Sequence, residues 1–362
     1  MLSMPVTSVP AGHSTSGDHR RDVLPNLDGV RAMACLLVVL GHVPMRWTTE
    51  LLGAVGVGTF FVLSGFLMGY LYGQTPWSPA TVGRYCIVRF ARIAPIYWLV
   101  VSVCILLSFM SEGLDFPLRI VGFQQIARHY LFAGSAGVLW SISPEVQFYG
   151  FFVLVWGAIA VRAQRAFALP ALALLCCALL LTHNAWPGMA LPHKLHFFLA
   201  GVIAGLIPRP SWQSARDATA LPWLQGWALL LLAAPLWLFP SKEDFYAENL
   251  MGWIYAVAIY LLSFPSTWTR VLFASRALRK VGQASFSIYL LHVLVIYYGM
   301  QLLRLRSDGF DMPWLPLGLA AVMLPMAVSH YVEMPLQRGT RRLLERVFGV
   351  NKKRIAPAAS IA

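Results

Sequence analysis

Apolar runs recur along almost the whole chain, and they limit what it can fold into more than any other feature. Ten stand out, at 27–46, 51–72, 92–111, 138–161, 167–183, 195–207, 223–239, 249–264, 284–303 and 314–333. Hydrophobic residues make up 58% of the 362 and charged residues 12%, against about half and about a quarter in soluble domains. No soluble core of this length needs so much apolar sequence, so lipid has to solvate part of it. The expected fold is therefore all-α, a polytopic integral membrane protein of about ten transmembrane helices. Aromatic residues, 13% of the chain with 13 Trp, suit belts at two membrane interfaces.

The net charge of +13 first suggests nucleic acid, but its distribution points to topology. With the N-terminus inside, 20 of the 28 Lys and Arg fall in cytoplasmic segments and 7 outside, leaving Arg31 near the inner end of the first helix. That bias across an even number of helices predicts both termini in the cytoplasm, and no nucleic-acid partner is expected. Residues 1–25, rich in Ser, Gly, Pro and His, lack the charged start and cleavage site of a secretory signal and read as a disordered tail. Residues 26–336 form the membrane domain and 337–362 a basic cytoplasmic tail. The stretch 117–133, with Arg119, Arg128 and His129, reads as an outside loop. Five cysteines lie in or beside apolar stretches without a CxxC or ligand spacing, so neither a disulfide framework nor a metal site is expected. His193 and His196 make an HxxH with no third ligand evident.

Two ionisable residues lie within the first apolar run, Arg31 and His42. Charge is expensive in hydrocarbon, so such groups normally face a protein interior or a watery cavity. Eleven positions make about three helical turns, which puts both on one helix face, roughly 16 Å apart. A cation at one level and an imidazole at another suit a site that holds an anion at its mouth and moves protons deeper in. Arg89 and Arg92, three apart before the third run, share a helix face and are candidates to grip phosphate. Positive-inside bias alone would also put arginines there. Ser64 lies in an apolar helix without a GxSxG and reads as packing; Cys35, on the Arg31–His42 face, reads the same way.

Six motifs in order resemble the membrane-bound acyltransferase 3 family of bacterial O-acyltransferases, from Asn26 to Pro335. LDGVRAMACLLVVLGH carries the Arg-x10-His pattern at Arg31 and His42. GVGTFFVLSGFL (56–67), RFARIAPIYW (89–98), WSISPEVQFY (140–149), ASFSIYLLH (284–292) and Glu333-Met334-Pro335 follow. Two departures stand out. Gly58 and Thr59 occupy a place where the family often has an acid, and Val146 replaces the second of two adjacent acids, leaving Glu145.

The resemblance implies transfer of an acyl group from cytoplasmic acyl-CoA, with acetyl-CoA the foremost candidate, to a hydroxyl of a cell-surface sugar. The acyl-CoA is a co-substrate, and no bound cofactor is implied. The partners expected are this donor, a sugar or glycan acceptor and the lipid bilayer of the bacterial inner membrane; the oligomeric state is not legible. Some family members add a C-terminal periplasmic esterase-like domain, which is not expected in these 362 residues. His42 is the candidate general base, since imidazole titrates near neutrality. Glu145 is its candidate partner, and Arg31, Arg89 and Arg92 are the candidate donor-holding cations, with Arg31 also an electrostatic element of catalysis. An alternative for Arg31 is a pair with Asp28. Ser143, Gln147, Tyr149 and His292 are candidate acceptor contacts. Glu333 is read as a partner for Arg338 or a cap. The rival reading is a transporter or flippase in which Arg31, His42 and Glu145 form a substrate or proton path.

Overall fold

The computed structural model describes residues 24–45, 48–111, 115–161, 165–208, 220–303 and 314–350. Among these the chain is helical throughout its regular structure. The helices are α1 (Pro25–His42), α2 (Glu50–Tyr72), α3 (Pro79–Met110), α4 (Phe123–Tyr130), α5 (Ile142–Ala160), α6 (Arg165–Leu181) and α7 (Leu191–Leu206). Then come α8 (Leu221–Ala233), with a one-turn continuation Pro235–Leu238, α9 (Lys242–Ala247), α10 (Asn249–Leu262), α11 (Thr267–Leu272) and α12 (Arg276–Gln283). The last are α13 (Ser285–Leu303), α14 (Trp314–Val328) and α15 (Met334–Val347), the last two joined by a π-helical turn, Ser329–Glu333. Arg46 and Trp47, the N-terminal tail up to residue 23 and the C-terminal residues 351–362 lie outside the described residues.

Among the described residues each of the ten apolar runs is helical over most of its length. Six helical stretches are long and apolar enough to cross a membrane: Glu50–Tyr72, Pro79–Met110, Gly137–Ala160, Leu221–Leu238, Ser285–Leu303 and Trp314–Val347. Three shorter apolar helices accompany them, and α1 carries Asp28 and Arg31 within its 18 residues. The protein is thus a multi-pass, all-helical membrane protein. The largest boundary error is at α3. Ser78 accepts from the Thr81 amide while the Thr81 hydroxyl accepts from Ser78, a capping box with Pro79 in the first turn. The helix therefore starts at Pro79, well before residue 92, and its 32 residues span about 48 Å. That exceeds a hydrocarbon core of about 30 Å, and the N-terminal extension of the helix carries Arg84 and Arg89.

The hub of the bundle is α2, which is buried along nearly its whole length. It packs on α7 through glycines on both sides: Gly65 and Gly69 face the Phe198 and Val202 carbonyls, and Gly201 and Gly205 face those of Val62 and Phe66. A β-carbon at any of the four would collide with backbone. This is the reciprocal small-xxx-small approach by which membrane helices gain dispersion contact where lipid offers no hydrophobic drive. On its other side α2 meets α1, where Gly56 faces the Ala34 carbonyl. Helix α1 is thereby held between α2, α12 and α13.

Glu333 is 3% exposed, and one carboxylate oxygen accepts from Ser287 at 2.6 Å and from Ser329 at 2.7 Å. The expected Arg338 partner is replaced by these two hydroxyls, because the π turn rotates the carboxylate into the bundle rather than toward the basic helix α15. The Asp28 carboxylate lies 3.6 Å from the Arg279 guanidinium. Asp28 thus takes its ion pair from α12, and not from Arg31.

Candidate active site

Two neighbouring constructions make up the site. The first is a cavity of about 600 Å³, counting its open mouth, walled by α1, α2, α3, α5 and α13. Arg31 and Arg92 line it together with Ser64, Ser141, Glu145, Ser285 and Tyr289, and Phe60, Phe61 and Phe286 supply apolar wall. Among the described residues neither guanidinium has an ion-pair partner within 4 Å. The one carboxylate lining the cavity, Glu145, accepts from the Tyr149 hydroxyl at 2.6 Å. Two arginines against one such carboxylate leave the cavity positive, and charges inside a membrane protein normally come paired. The chamber is therefore matched to an anionic ligand.

The second construction lies at the other end of α1. His292 on α13 sets its Nδ1 3.0 Å and 2.8 Å from the carbonyl oxygens of Ile288 and Tyr289. Carbonyls only accept, so Nδ1 carries the hydrogen and Nε2 is left with its lone pair. That Nε2 faces His42 Nδ1 at 3.3 Å, which itself lies 2.8 Å from the Val38 carbonyl oxygen. His42 Nδ1 must then be protonated, its hydrogen shared between Val38 and His292. The lone pair of a neutral His42 consequently sits on Nε2, and the ring lies at the exposed end of α1. The two rings meet edge to face with centroids 4.8 Å apart.

Tyr289 links the two constructions. Its hydroxyl donates to the Val138 carbonyl at 2.8 Å and accepts from Ser141 at 2.7 Å. Its ring lines the cavity and lies 6.0 Å from that of His292, one turn further along α13. Serine at 141 and 285 and tyrosine at 289 give the wall between cavity and histidine pair its polar character.

The residues expected from sequence fall into three groups. Arg31, Arg92 and Glu145 converge on the cavity; His42 does not line it, and takes His292 as its hydrogen-bond partner in place of the expected Glu145. Arg89 stands among Tyr149, Tyr85 and Tyr72, its guanidinium 5.4, 5.8 and 5.9 Å from their ring centroids. Since Tyr149 in turn holds Glu145, Arg89 braces the wall behind the cavity. Ser143 donates to the Gly134 carbonyl at 3.2 Å, and Gln147 accepts from the Leu191 amide at 2.8 Å, capping the start of α7. Both have structural partners. Tyr289 and Ser285 were missed as site residues although both stand inside ASFSIYLLH; their spacing from His292 on one helix was the available signal.

An all-helical membrane bundle thus carries a cationic chamber toward one end of its Arg-x10-His helix and a histidine pair at the other. The chain matches the family described as Acyltransferase domain over residues 24–332 and belongs to it. It is 24% identical over 361 residues to the peptidoglycan O-acetyltransferase OatA of Listeria monocytogenes, covering 88% of this chain and 57% of that protein. It is likewise 24% identical over 363 residues to the Bacillus subtilis protein named "Putative peptidoglycan O-acetyltransferase YrhL", covering 90% and 57%. A Staphylococcus aureus (strain COL) protein named "Putative O-acetyltransferase" is 23% identical over 315 residues, covering 76% and 51%. The chain thus spans little more than half the length of these relatives. No solved structure matches it.

Proposed function

We propose that the protein transfers an acyl group, acetyl foremost, from a cytoplasmic acyl-CoA to a hydroxyl of a glycan or lipid-linked sugar in a bacterial inner membrane. The observation that carries this reading is the hydrogen-bond pattern at His42. A general base needs a lone pair on the side where the acceptor hydroxyl arrives, and a ring fixed so that the pair stays there. Val38 and His292 together hold the Nδ1 hydrogen of His42, which leaves Nε2 for the substrate. In the reaction His42 Nε2 takes the hydroxyl proton as the sugar oxygen bonds to the thioester carbonyl. The carbon–sulfur bond then breaks, and the CoA sulfur leaves and takes up a proton.

The donor's phosphates are the anion for which Arg31 and Arg92 are suited, at the opposite end of α1 from His42. The roughly 16 Å between these levels is of the order of an extended pantetheine arm. Ser285 and Tyr289, on the cavity wall toward His292, offer such an arm polar contacts.

The test is free-thiol release in membrane vesicles that retain their native glycans, with acetyl-CoA supplied on the cytoplasmic face. Wild type is expected to release CoA, and His42→Ala to do so about a hundredfold or more slowly, the usual contribution of a general base. Equal release by the two vesicle types would remove His42 from the chemistry. Absence of CoA release by either would favour a transport function for the same residues.

A further inference from the structure

At the His42 end of the bundle a second cation has no anionic partner. Lys194, on the first turn of α7, is 2% exposed. Its ammonium sits 3.4 Å from the centroid of the Tyr246 ring and 5.6 Å from that of Trp140. Among the described residues no carboxylate lies within 4 Å of it. Of the nearby acids, Glu50 forms an ion pair with Lys242, and Glu243, whose charge also reaches Lys194 at longer range, lies 4.0 Å from Lys242. Aromatic faces recover only part of the several kcal/mol that burying an ammonium costs, about 2 kcal/mol or somewhat more, and among the described residues no hydrogen-bond acceptor meets its donors. Methionine or leucine would fill the space without that cost.

Three contacts connect the surroundings of this lysine to α2 and to the cavity wall. The Tyr246 hydroxyl donates to the Ala54 carbonyl at 3.3 Å. Ala54 follows Gly53, where a β-carbon would come 3.7 Å from His42 Cε1. The support of Lys194 and the ring of His42 therefore meet successive residues of α2. Trp140, half-buried, stacks its edge against Tyr246 and against Phe61, and Phe61 lines the cavity.

We propose that Lys194, Trp140 and Tyr246 form an acceptor subsite for a sugar that carries a carboxylate on itself or on its immediate neighbour. The proposal rests on the acyltransferase reading above. The donor's phosphates belong with Arg31 and Arg92 at the far end of α1, so the anion that Lys194 lacks comes from the acceptor. A lone ammonium is a point charge without the fork that selects phosphate, and the half-buried indole of Trp140 is the kind of surface on which sugar rings stack. A singly charged sugar acid fits both.

Envelope glycans from cells expressing wild type, Lys194→Arg or Lys194→Met at equal membrane abundance test this, with the acyl group located by tandem mass spectrometry. The acyl group is expected on an acid-bearing sugar or the residue next to it. Lys194→Met is expected to lower the acylated fraction about tenfold or more, the worth of one charge-assisted contact, while Lys194→Arg keeps most of it. In vesicles, carboxyl-reduced glycan should raise the acceptor KM of wild type by a similar factor and leave that of Lys194→Met unchanged. An acyl group remote from any acid, or a wild type that uses native and reduced glycan alike, overturns the subsite and leaves the enzyme reading standing. Should no glycan gain an acyl group even with wild type, the glycan acyltransferase reading falls first and takes the subsite with it.

Discussion

A single hydrogen decides how His42 can act. Held on Nδ1 by Val38 and His292, it forces the lone pair to the far side of the ring. His292→Leu removes one of the two acceptors and leaves the proposed base, His42, in place, so kcat should fall only about three- to tenfold, the worth of a hydrogen bond near 1 kcal/mol. The KM for acyl-CoA should stay put, and His292→Gln, whose amide oxygen still accepts, should recover part of the rate. Steady-state kinetics in vesicles separate this positioning role from a purely structural one, which would lower folded protein and spare kcat per folded molecule. Arg31→Gln and Arg92→Gln should show the opposite pattern, each raising the acyl-CoA KM about tenfold with a smaller change in kcat. Sequence alone exposed Arg31 and His42 because charge inside an apolar run is conspicuous. It could not expose the His42–His292 pair, which joins residues 250 apart, nor the unpaired state of Lys194, since a lysine at a helix start looks like any interfacial charge.

The helices were legible wherever length and apolarity decided them, and less so where local backbone chemistry did. The capping box at Ser78–Thr81 was readable and extends α3 through Arg84 and Arg89. The break at Ala234 has its signal in Pro235, whereas the π turn at Ser329–Glu333 carries no comparable one. Close helix approach gives a sharp prediction. Gly65→Leu must push the Phe198 carbonyl away and should cost folded, monodisperse protein on heating, through overpacking of about 1–3 kcal/mol or more. Gly150→Ala, with nothing within 4 Å of the new β-carbon, should be neutral or slightly stabilising by the same thermal assay.

Helix α4, inside the stretch 117–133 expected from sequence to be a loop, makes a pH prediction together with the loop that follows it. His129 is buried, its Nδ1 donates to the Gln125 carbonyl at 2.7 Å, and its Nε2 accepts from the Ala136 amide at 3.2 Å. Burial lowers its pKa from the ordinary value of 6.5. The folded loop thus holds a neutral ring while an opened loop protonates it readily. Stability is unaffected well above 6.5 and is lost as pH falls through it. Amide exchange around Ala136, corrected for intrinsic rate, should be faster at pH 5.5 than at 7.5; no such difference would show that the ring stays protonated or exposed.

At the scale of the whole molecule the two functional ends of α1 face different chemistry. Arg31 and Arg92 open a cationic chamber at one end, and His42, His292 and Lys194 gather at the other, with Tyr289 between them. That separation suits a reaction whose donor is charged and bulky and whose acceptor arrives from elsewhere. The family membership and its O-acetyltransferase relatives agree with such a reaction. The most direct measurement is mass spectrometry of envelope glycans from cells lacking the protein and complemented with wild type or His42→Ala at equal membrane abundance. The account predicts an acyl-sized mass, acetyl foremost, on a glycan with wild type and its loss with His42→Ala. The same acyl mass at undiminished level with His42→Ala would contradict it.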